Sequence, residues 1–282
     1  MSSSIALTIA GFDPTGGAGV LADARTFTAF GMEPFGVITS LTFQSPTSFF
    51  GAEHQSPDTI RRQLESLVGK SEIACAKTGM LPTREVVVEV ARLFREFKLP
   101  APVVDPVLIS SSGFRLMDED AIEVIVADLF PLAQLVTPNI PEAETLAGMS
   151  ITSEADMRRA ATIIRQMGAR SVLIKGGHLD QEAGAGGITR RQEDGSESRL
   201  ETGDSRLETN TEAIDVLDNG GTITVFRERR VPGAQLHGSG CVLSAAIAAG
   251  LGKGINLEES VRDAKRYVFE KLKQGTSAGS AR

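Results

Sequence analysis

The chain has 282 residues, which suits one large α/β domain or two small ones. Hydrophobic residues make up 41% of it and charged residues 23%, as in ordinary globular proteins with a sizeable core. The formal net charge of -7 argues against nonspecific binding to nucleic acid or to an anionic membrane. It does not exclude an anionic ligand, because a pocket can be lined with backbone N–H groups.

The sequence also indicates the cellular compartment of the protein. No apolar run reaches the roughly 18 residues that span a bilayer, and the N-terminal segment lacks the basic region that opens a signal peptide. The two cysteines, Cys75 and Cys241, fit reduced thiols better than a disulfide framework. The histidines are scattered, and no Cys/His cluster has the spacing of a zinc site. We therefore expect a cytoplasmic protein.

Apolar runs alternate with helical segments along the first 175 residues. Strands are predicted over Ile5–Ala10, Phe35–Gln44, Ile73–Lys77, Pro102–Asp105, Gln134–Thr137 and Ser171–Lys175. Helices are predicted over Gly19–Phe30, Pro57–Val68, Thr83–Phe97, Asp118–Phe130 and Ser153–Met167. This alternation predicts an α/β fold with a parallel sheet covered by helices on both faces. Ligands of such folds lie at the carboxyl ends of the strands.

The last third of the chain contains an insertion and then more regular elements. Residues 180–210 are polar and contain a near tandem repeat, since the sequence SRLET occurs at 198–202 and again at 205–209. This composition predicts a mobile insertion at about 181–212, with a functional lid as the alternative. A hairpin of Ala213–Leu217 and Thr222–Arg230 and a helical pair of Ser239–Gly250 and Leu257–Leu272 are predicted to follow. We expect residues 1–282 to form a single domain.

The common nucleotide-binding loops are not evident in the sequence. Gly69-Lys70-Ser71 looks like the end of a P-loop, but Leu64 occupies the position of the first glycine. The segment also ends a predicted helix, so we interpret Gly69 as a helix stop. No G-x-G-x-x-G fingerprint follows a predicted strand either. A nucleotide, if bound, must be held in another way.

A glycine-rich segment, Gly11–Asp23, joins the first strand to the first helix. Glycines at such a junction allow a sharp turn or a close approach of the backbone to a ligand, and a simple connecting turn is the alternative. Asp23 lies one turn into the helix, and we expect its carboxylate to point back toward the strand ends.

Two carboxylates are predicted to end up near each other at the strand ends. Asp105 ends one strand, and Glu142 follows the strand Gln134–Thr137 within the segment Asn139-Ile140-Pro141-Glu142. Asn139 and Pro141 are good residues for the start of a helix, so simple capping is one interpretation. The functional alternative is a Mg²⁺ site beside phosphates, because a hard cation that keeps several waters suits two carboxylates.

The segment from His237 to Cys241 precedes an apolar, alanine-rich helix. Small residues at this point expose the first backbone N–H groups of the helix, which can bind an anion. Because Cys241 lies in the first turn, we expect the pKa of its thiol to fall. The alternative is that Cys241 is a small apolar residue that packs the start of the helix.

Taken together, these segments resemble one family. The motifs GFDPTGGAGVLADARTF, ITSLTFQSP, AKTGML, VVDPV, TPNIPEAETLAG, VLIKGGHLD and HGSGCVLSAA occur in the order of the hydroxymethylpyrimidine/phosphomethylpyrimidine kinases of thiamine biosynthesis. The resemblance covers roughly residues 5–180 and 213–272. It implies a ribokinase-like, three-layer α/β/α fold with a mostly parallel central sheet. It also implies two successive phosphoryl transfers from ATP, first to a hydroxymethylpyrimidine and then to its monophosphate.

The resemblance also implies roles for individual residues. The catalytic base would be Cys241, with the anion hole formed by the amides of Gly238, Ser239, Gly240 and Cys241. Gln44 would bind the pyrimidine ring, and the other pocket residues would be Gly11, Asp23, Met80 and Val107. Lys175 and Asn139 would lie near the ATP phosphates, and Asp105 and Glu142 would hold Mg²⁺.

The resemblance leaves some properties open. The glycine-rich segment Gly11–Asp23 carries Phe12 and Thr15 where the family usually has small residues, and the insertion at 181–212 is longer than usual. A pyridoxine/pyridoxal kinase of the same superfamily is the first alternative function, because its substrate is a similar flat ring with a hydroxymethyl arm. A noncatalytic ligand-binding relative is the second. A homodimer is expected from the family.

Overall fold

The computed structural model describes residues 4–45, 48–69, 72–109, 116–176, 212–229 and 237–279. Its strands are β1 Ile5–Phe12, β2 Glu33–Gln44, β3 Phe49–His54, β4 Ile73–Thr78, β5 Val103–Val104, β6 Leu135–Val136, β7 Ser171–Gly176, β8 Glu212–Asn219 and β9 Thr222–Arg229. Its α-helices are α1 Gly19–Ala29, α2 Pro57–Glu65, α3 Arg84–Glu96, α4 Glu119–Val124, α5 Ile140–Ala147, α6 Glu154–Gln166, α7 Ser239–Gly252 and α8 Leu257–Gly279. The predicted insertion at 181–212 lies outside the described residues except for Glu212.

All of these strands form one sheet in the order β3-β2-β1-β4-β5-β6-β7-β8-β9. The six central strands run parallel to one another; they are β2, β1, β4, β5, β6 and β7. Strand β3 pairs antiparallel at one side of the sheet, and β8 and β9 pair antiparallel at the other. The predicted mostly parallel sheet is therefore confirmed. Parallel pairing brings the carboxyl ends of β1, β4, β5, β6 and β7 to the same edge of the sheet.

Helices cover both faces of this sheet, and each face has its own hydrophobic core. On one face, the core includes Leu64 of α2, Leu93 of α3 and Ile164 of α6. On the other face, Phe27 of α1 and Val261 of α8 pack with the alanine-rich helix α7. No helix in the described parts of the chain is long and apolar enough to cross a membrane.

Two elements differ from the sequence-based prediction. Strand β3 was not predicted, because FFGAEH is short and half exposed at the sheet edge, where its apolar alternation is weak. The predicted helix Asp118–Phe130 is helical, but its pitch changes after α4. A wider π turn covers Ile125–Leu129, and a tighter 3₁₀ turn follows over Phe130–Leu132. Pro131 explains the change, since proline cannot donate the next helical hydrogen bond.

The helices differ in whether a side chain caps their first backbone N–H groups. Ser56, Thr83, Asn139 and Ser153 each accept a backbone N–H at the start of α2, α3, α5 and α6. Helices α1, α4 and α7 have no such side-chain cap. Helix α7 starts from Gly238, which is in the left-handed conformation with φ +73° and has no side chain that could cap the helix. The first N–H groups of α7 are therefore left for a partner other than a capping side chain.

Candidate active site

A cavity of about 410 Å³ lies at the carboxyl ends of the parallel strands, where the sequence predicted a ligand. This volume is typical of small-molecule sites. The predicted site residues that line it are Gly11, Gln44, Met80, Asp105, Val107, Asn139, Glu142, Lys175, Gly238, Ser239, Gly240 and Cys241. Residues that are more than 200 positions apart in sequence thus meet around one space.

Asp23 is the exception among the predicted pocket residues. It is fully buried and does not line the cavity, so the prediction that it contacts the substrate is not supported by its position. Its carboxylate accepts two hydrogen bonds from Lys77 Nζ, at 2.8 and 3.0 Å, and one from the Thr8 hydroxyl at 2.6 Å. Asp23 therefore lies behind the residues that line the cavity, where its hydrogen bonds fix the position of Lys77.

Lys77 is a cavity residue that the sequence analysis did not identify. It is the last residue but one of strand β4, its side chain has no exposed surface, and it borders the cavity with Cys241. Burial alone would lower the pKa of Lys77, but Asp23 and the nearby Cys241 and Asp105 raise it, so the ammonium stays charged. The signal in the sequence was a lysine at the end of the buried run Ile73–Thr78, because an unpaired lysine is almost never fully buried.

A second lysine, Lys175, ends strand β7 on the opposite side of the cavity. Its Nζ lies 2.7 Å from Oδ1 of Asp105, and its side chain is 14% exposed. Asp105 also accepts hydrogen bonds from Thr137 at 3.3 Å and from Ser244 of α7 at 3.2 Å. Burial opposes the charged carboxylate, but Lys175 and Lys77 hold the pKa of Asp105 below its usual value. Asp105 is thus an anchored anion between two cations.

Glu142 has both a structural and an electrostatic role. It forms a capping box with Asn139: Glu142 N–H donates to Asn139 Oδ1 at 2.9 Å, and Asn139 N–H donates to Glu142 Oε2 at 2.8 Å. The predicted capping is therefore present. Burial raises the pKa of Glu142 to about 7; Lys175 opposes this rise and the Asp105 charge adds to it. Two carboxylates that disfavour each other's charge fit a site that is completed by a cation.

The start of α7 approaches the Lys175–Asp105 pair closely because it is built from small residues. A Cβ atom on Gly240 would lie 3.0 Å from Lys175 Nζ, and one on Gly238 would overlap the carbonyl oxygen of Gly17. A side chain at Gly238 would collide with the backbone of Gly17, and one at Gly240 would crowd the Lys175 ammonium. The first amides of α7 and the ammonium of Lys175 therefore border the same part of the cavity and favour an anion there.

The predicted fall in the thiol pKa of Cys241 is wrong for the protein without ligands. Burial raises this pKa to about 11; Lys77 opposes the rise, and the carboxylates of Asp105 and Asp23 add to it. The position at the start of α7 does not outweigh these effects. Cys241 is therefore a protonated thiol at neutral pH, close to the two cations Lys77 and Lys175 and to two anions.

The other end of the cavity is a mainly apolar slot. Gln44 and Phe49 pair across the β2–β3 hairpin, and Met80 and Val107 line the space opposite them. A Cβ atom on Gly11 would lie 3.2 Å from Met80 Sδ, so glycine allows the methionine to pack closely against this turn. A flat, partly polar ring fits such a slot, because the amide of Gln44 can both donate and accept hydrogen bonds.

Comparison with known proteins places this geometry in a family. The family model "Phosphomethylpyrimidine kinase" matches residues 13–282. A hydroxymethylpyrimidine/phosphomethylpyrimidine kinase of Rhizobium meliloti is 37% identical over 94% of this chain and 89% of its own length. The thiamine biosynthesis bifunctional protein ThiED of Geobacter sulfurreducens is 36% identical over 97% of this chain, which spans 50% of that relative.

Solved structures show the same architecture. A phosphomethylpyrimidine kinase from Clostridium difficile has a TM-score of 0.76 and 33% identity, over 95% of this chain and 99% of its own. A Bacillus subtilis pyridoxal kinase in an ADP complex has a TM-score of 0.77 and 31% identity, over 94% of this chain and 90% of its own. These likenesses confirm the predicted ribokinase-like, three-layer fold. From the family model and its relatives, the chain belongs to the phosphomethylpyrimidine kinase family.

Proposed function

We propose that this protein transfers the γ-phosphoryl group of ATP to the hydroxymethyl oxygen of 4-amino-5-hydroxymethyl-2-methylpyrimidine. A second transfer then converts the monophosphate to the diphosphate, as a step of thiamine biosynthesis. The observation that carries this proposal is the cavity itself. One space joins an apolar slot with an amide, at Gln44, to an anion-favouring end formed by Lys175 and the start of α7.

The slot supports a pyrimidine as the acceptor. Met80 and Val107 offer apolar surface to the ring faces, and the Gln44 amide offers a donor and an acceptor to an aminopyrimidine edge. A site built to form such hydrogen bonds discriminates strongly against rings that leave its polar groups unpaired. The names of the family model and of the relatives favour the same substrate.

The opposite end supports a phosphate donor. Lys175 and the unpartnered first amides of α7 can hold phosphate oxygens, and Asn139 lines the adjacent wall. ATP is the donor that these groups would position. Kinases act mainly by such positioning and by stabilising charge on the transferred group.

Asp105 and Glu142 would hold Mg²⁺ in this proposal. Two buried carboxylates, one of them with its pKa raised to about 7, provide the oxygen ligands that a hard cation prefers. The described residues contain no cluster of three or more His, Cys, Asp or Glu suited to a metal, so the remaining ligands would be phosphate oxygens and water. Mg²⁺ held there would neutralise charge on the phosphates of the donor.

The two transfers place different demands on Cys241. In the first, the bond from the γ-phosphorus to its bridging oxygen breaks, a bond to the alcohol oxygen forms, and the alcohol loses a proton. Cys241 would take that proton as a thiolate. In the second, the acceptor is a phosphate monoester whose second pKa is about 6, so its oxygen is already anionic at neutral pH. The second transfer therefore needs no base.

The choice of acceptor can be tested by comparing two alcohols. With ATP and Mg²⁺, kcat/KM for the pyrimidine alcohol should exceed that for pyridoxal by at least about tenfold, which corresponds to about 1.4 kcal/mol. Release of ADP, measured in a coupled assay, gives both values. A preference for pyridoxal would support the first alternative function, and no ADP with either alcohol would support a noncatalytic relative.

Replacement of Cys241 should separate the two transfers. We expect Cys241→Ala to lower kcat for the alcohol by about 10²–10⁴-fold and to affect the monophosphate much less. Because the thiol pKa is about 11, kcat/KM of the wild type for the alcohol should rise between pH 7 and 9 as the thiolate fraction increases. Steady-state kinetics with each acceptor over this range measures both effects. Equal losses with the two acceptors, or a flat wild-type profile, would contradict the role of base.

Glu142→Gln should change stability in a way that depends on pH. The folded protein keeps Glu142 protonated up to a pKa of about 7, whereas an unfolded glutamate has a pKa of about 4.3. The stabilisation from this proton is complete below about pH 4 and is lost as the pH rises through 7. A glutamine stays neutral at every pH, so the variant does not lose this stabilisation. Its side-chain oxygen still accepts the capping hydrogen bond. We therefore expect the Tm of the variant to exceed that of the wild type at pH 8 but not at pH 4.5.

The exposed Glu123 of α4 provides the matched control, and Glu123→Gln should leave this pH dependence unchanged. Addition of ATP with Mg²⁺ at pH 8 should raise the Tm of the wild type more than that of Glu142→Gln, because a metal ligand is lost. A variant that gains no stability at pH 8 and responds fully to Mg²⁺ would remove Glu142 from the proposed metal site.

A further inference from the structure

Two glycine-rich turns meet at the cavity and touch through their backbones. The first turn comprises Gly11–Gly19, and the second, called here the α7 turn, comprises His237–Cys241. A Cβ atom on Gly17 would overlap the His237 ring, and one on Gly238 would overlap the carbonyl oxygen of Gly17. Cys241 also receives a hydrogen bond from the backbone N–H of Gly19. The first turn and the α7 turn therefore pack directly against each other.

A buried carboxylate, Asp13, organises the first turn. It is only 2% exposed, and it accepts hydrogen bonds from the backbone N–H and the hydroxyl of Thr15, both at 2.8 Å. It also accepts the backbone N–H of Ala18 at 2.9 Å. Burial opposes the charge, but these hydrogen bonds and His237 keep the pKa of Asp13 below its usual value. Asp13 is thus a charged acceptor at the centre of the turn.

Asp13 also links this turn to the α7 turn through a side chain. Nε2 of His237 lies 3.1 Å from Oδ2 of Asp13. Because an ionised aspartate can only accept hydrogen bonds, Nε2 must carry the proton and donate it. The pair joins positions 224 residues apart in sequence. The bonds from Thr15 and Ala18 lie within the first turn, whereas the bond from His237 is the one that reaches the α7 turn.

The junction has a functional consequence because each turn borders a different part of the cavity. The first turn carries Gly11, against the slot for the ring, and the α7 turn carries Cys241 and the amides of the anion-favouring end. The acceptor oxygen must lie between these parts. A shift of one turn against the other by about 1 Å can cost about 10²-fold in rate even when binding persists.

We propose that Asp13 and His237 are positioning residues for phosphoryl transfer: their hydrogen bond keeps Cys241 and the first amides of α7 aligned with the acceptor oxygen. This inference rests on the proposed function. We call the pair the Asp13–His237 clasp. Both residues border the cavity, and the clasp acts on the acceptor oxygen through the α7 turn, which carries Cys241 and the first amides of α7.

The clasp can be tested with His237 variants whose side chains extend to different distances toward Asp13. His237→Ala removes the donor, His237→Asn keeps an amide on a shorter arm, and His237→Gln keeps an amide that can extend further toward Asp13. We expect Ala and Asn to lower kcat for the pyrimidine alcohol by about 10²-fold with little change in KM. Gln should recover most of the rate. His54→Ala is the matched control, since His54 bonds Ser40 outside the clasp and should leave kcat unchanged.

The reactivity of the two cysteines gives a readout that is independent of turnover. Loosening of the α7 turn should increase the rate at which iodoacetamide alkylates Cys241, measured by mass spectrometry, in Ala and Asn but not in Gln or His54→Ala. Cys75 of β4 is 5% exposed and packs against Gly252 at the far end of α7. It reports general unfolding, so it should stay unmodified in every variant.

The outcomes distinguish failure of the clasp from failure of the proposed function. Wild-type kcat and unchanged alkylation of Cys241 in His237→Ala would overturn the clasp. Equal loss in the Gln and Ala variants, or alkylation of Cys75 together with Cys241, would show a general structural role and would also overturn it. If the wild type does not phosphorylate the alcohol, the proposed function fails, and the alkylation rates still decide whether the clasp holds Cys241.

Discussion

The site depends on two lysines that are held at the ends of parallel strands by buried carboxylates. Lys77 is fixed by Asp23 and Lys175 by Asp105. Burying such pairs costs desolvation energy that their mutual attraction does not reliably recover, so well-packed apolar residues would stabilise the fold as well or better. In the proposed function, their value is that positive charge is already in place for the phosphate groups of the donor. A phosphoryl group entering the cavity meets oriented charges and does not have to order them.

Because the two lysines are held in fixed positions, the groups around them must approach closely. This explains why so much of the site consists of backbone and small side chains. Gly238 lets the start of α7 pack against the backbone of Gly17, and Gly240 leaves room for the Lys175 ammonium beside the first amides of α7. Helix α5 is closed by its capping box, so its amides are occupied, whereas those of α7 are open. Of these two helix starts, only that of α7 therefore leaves its amides available to an anion.

The sequence predicted the location of the site better than its electrostatics. Gly11, Asp105 and Glu142 were identified because a glycine and two carboxylates follow predicted strands, and parallel strands end at one edge. Gln44 was identified from the family resemblance alone. Burial depth and the charges of spatial neighbours have no local signal, and three features were missed for that reason. Asp23 points behind the cavity, Lys77 was overlooked as part of a strand, and the pKa of Cys241 rises where the helix position alone predicted a fall. Strand β3 was missed because its pairing at the sheet edge, and not its own pattern, defines it.

The central claim is that one cavity carries out both phosphoryl transfers on the same pyrimidine. The most direct measurement is a ³¹P NMR time course of the wild-type protein with ATP, Mg²⁺ and 4-amino-5-hydroxymethyl-2-methylpyrimidine. The account predicts a transient monophosphate signal, its replacement by the two coupled signals of a diphosphate ester, and two ADP formed for each pyrimidine consumed. A monophosphate that accumulates without further conversion, or ATP that stays intact in the presence of the alcohol, would contradict it.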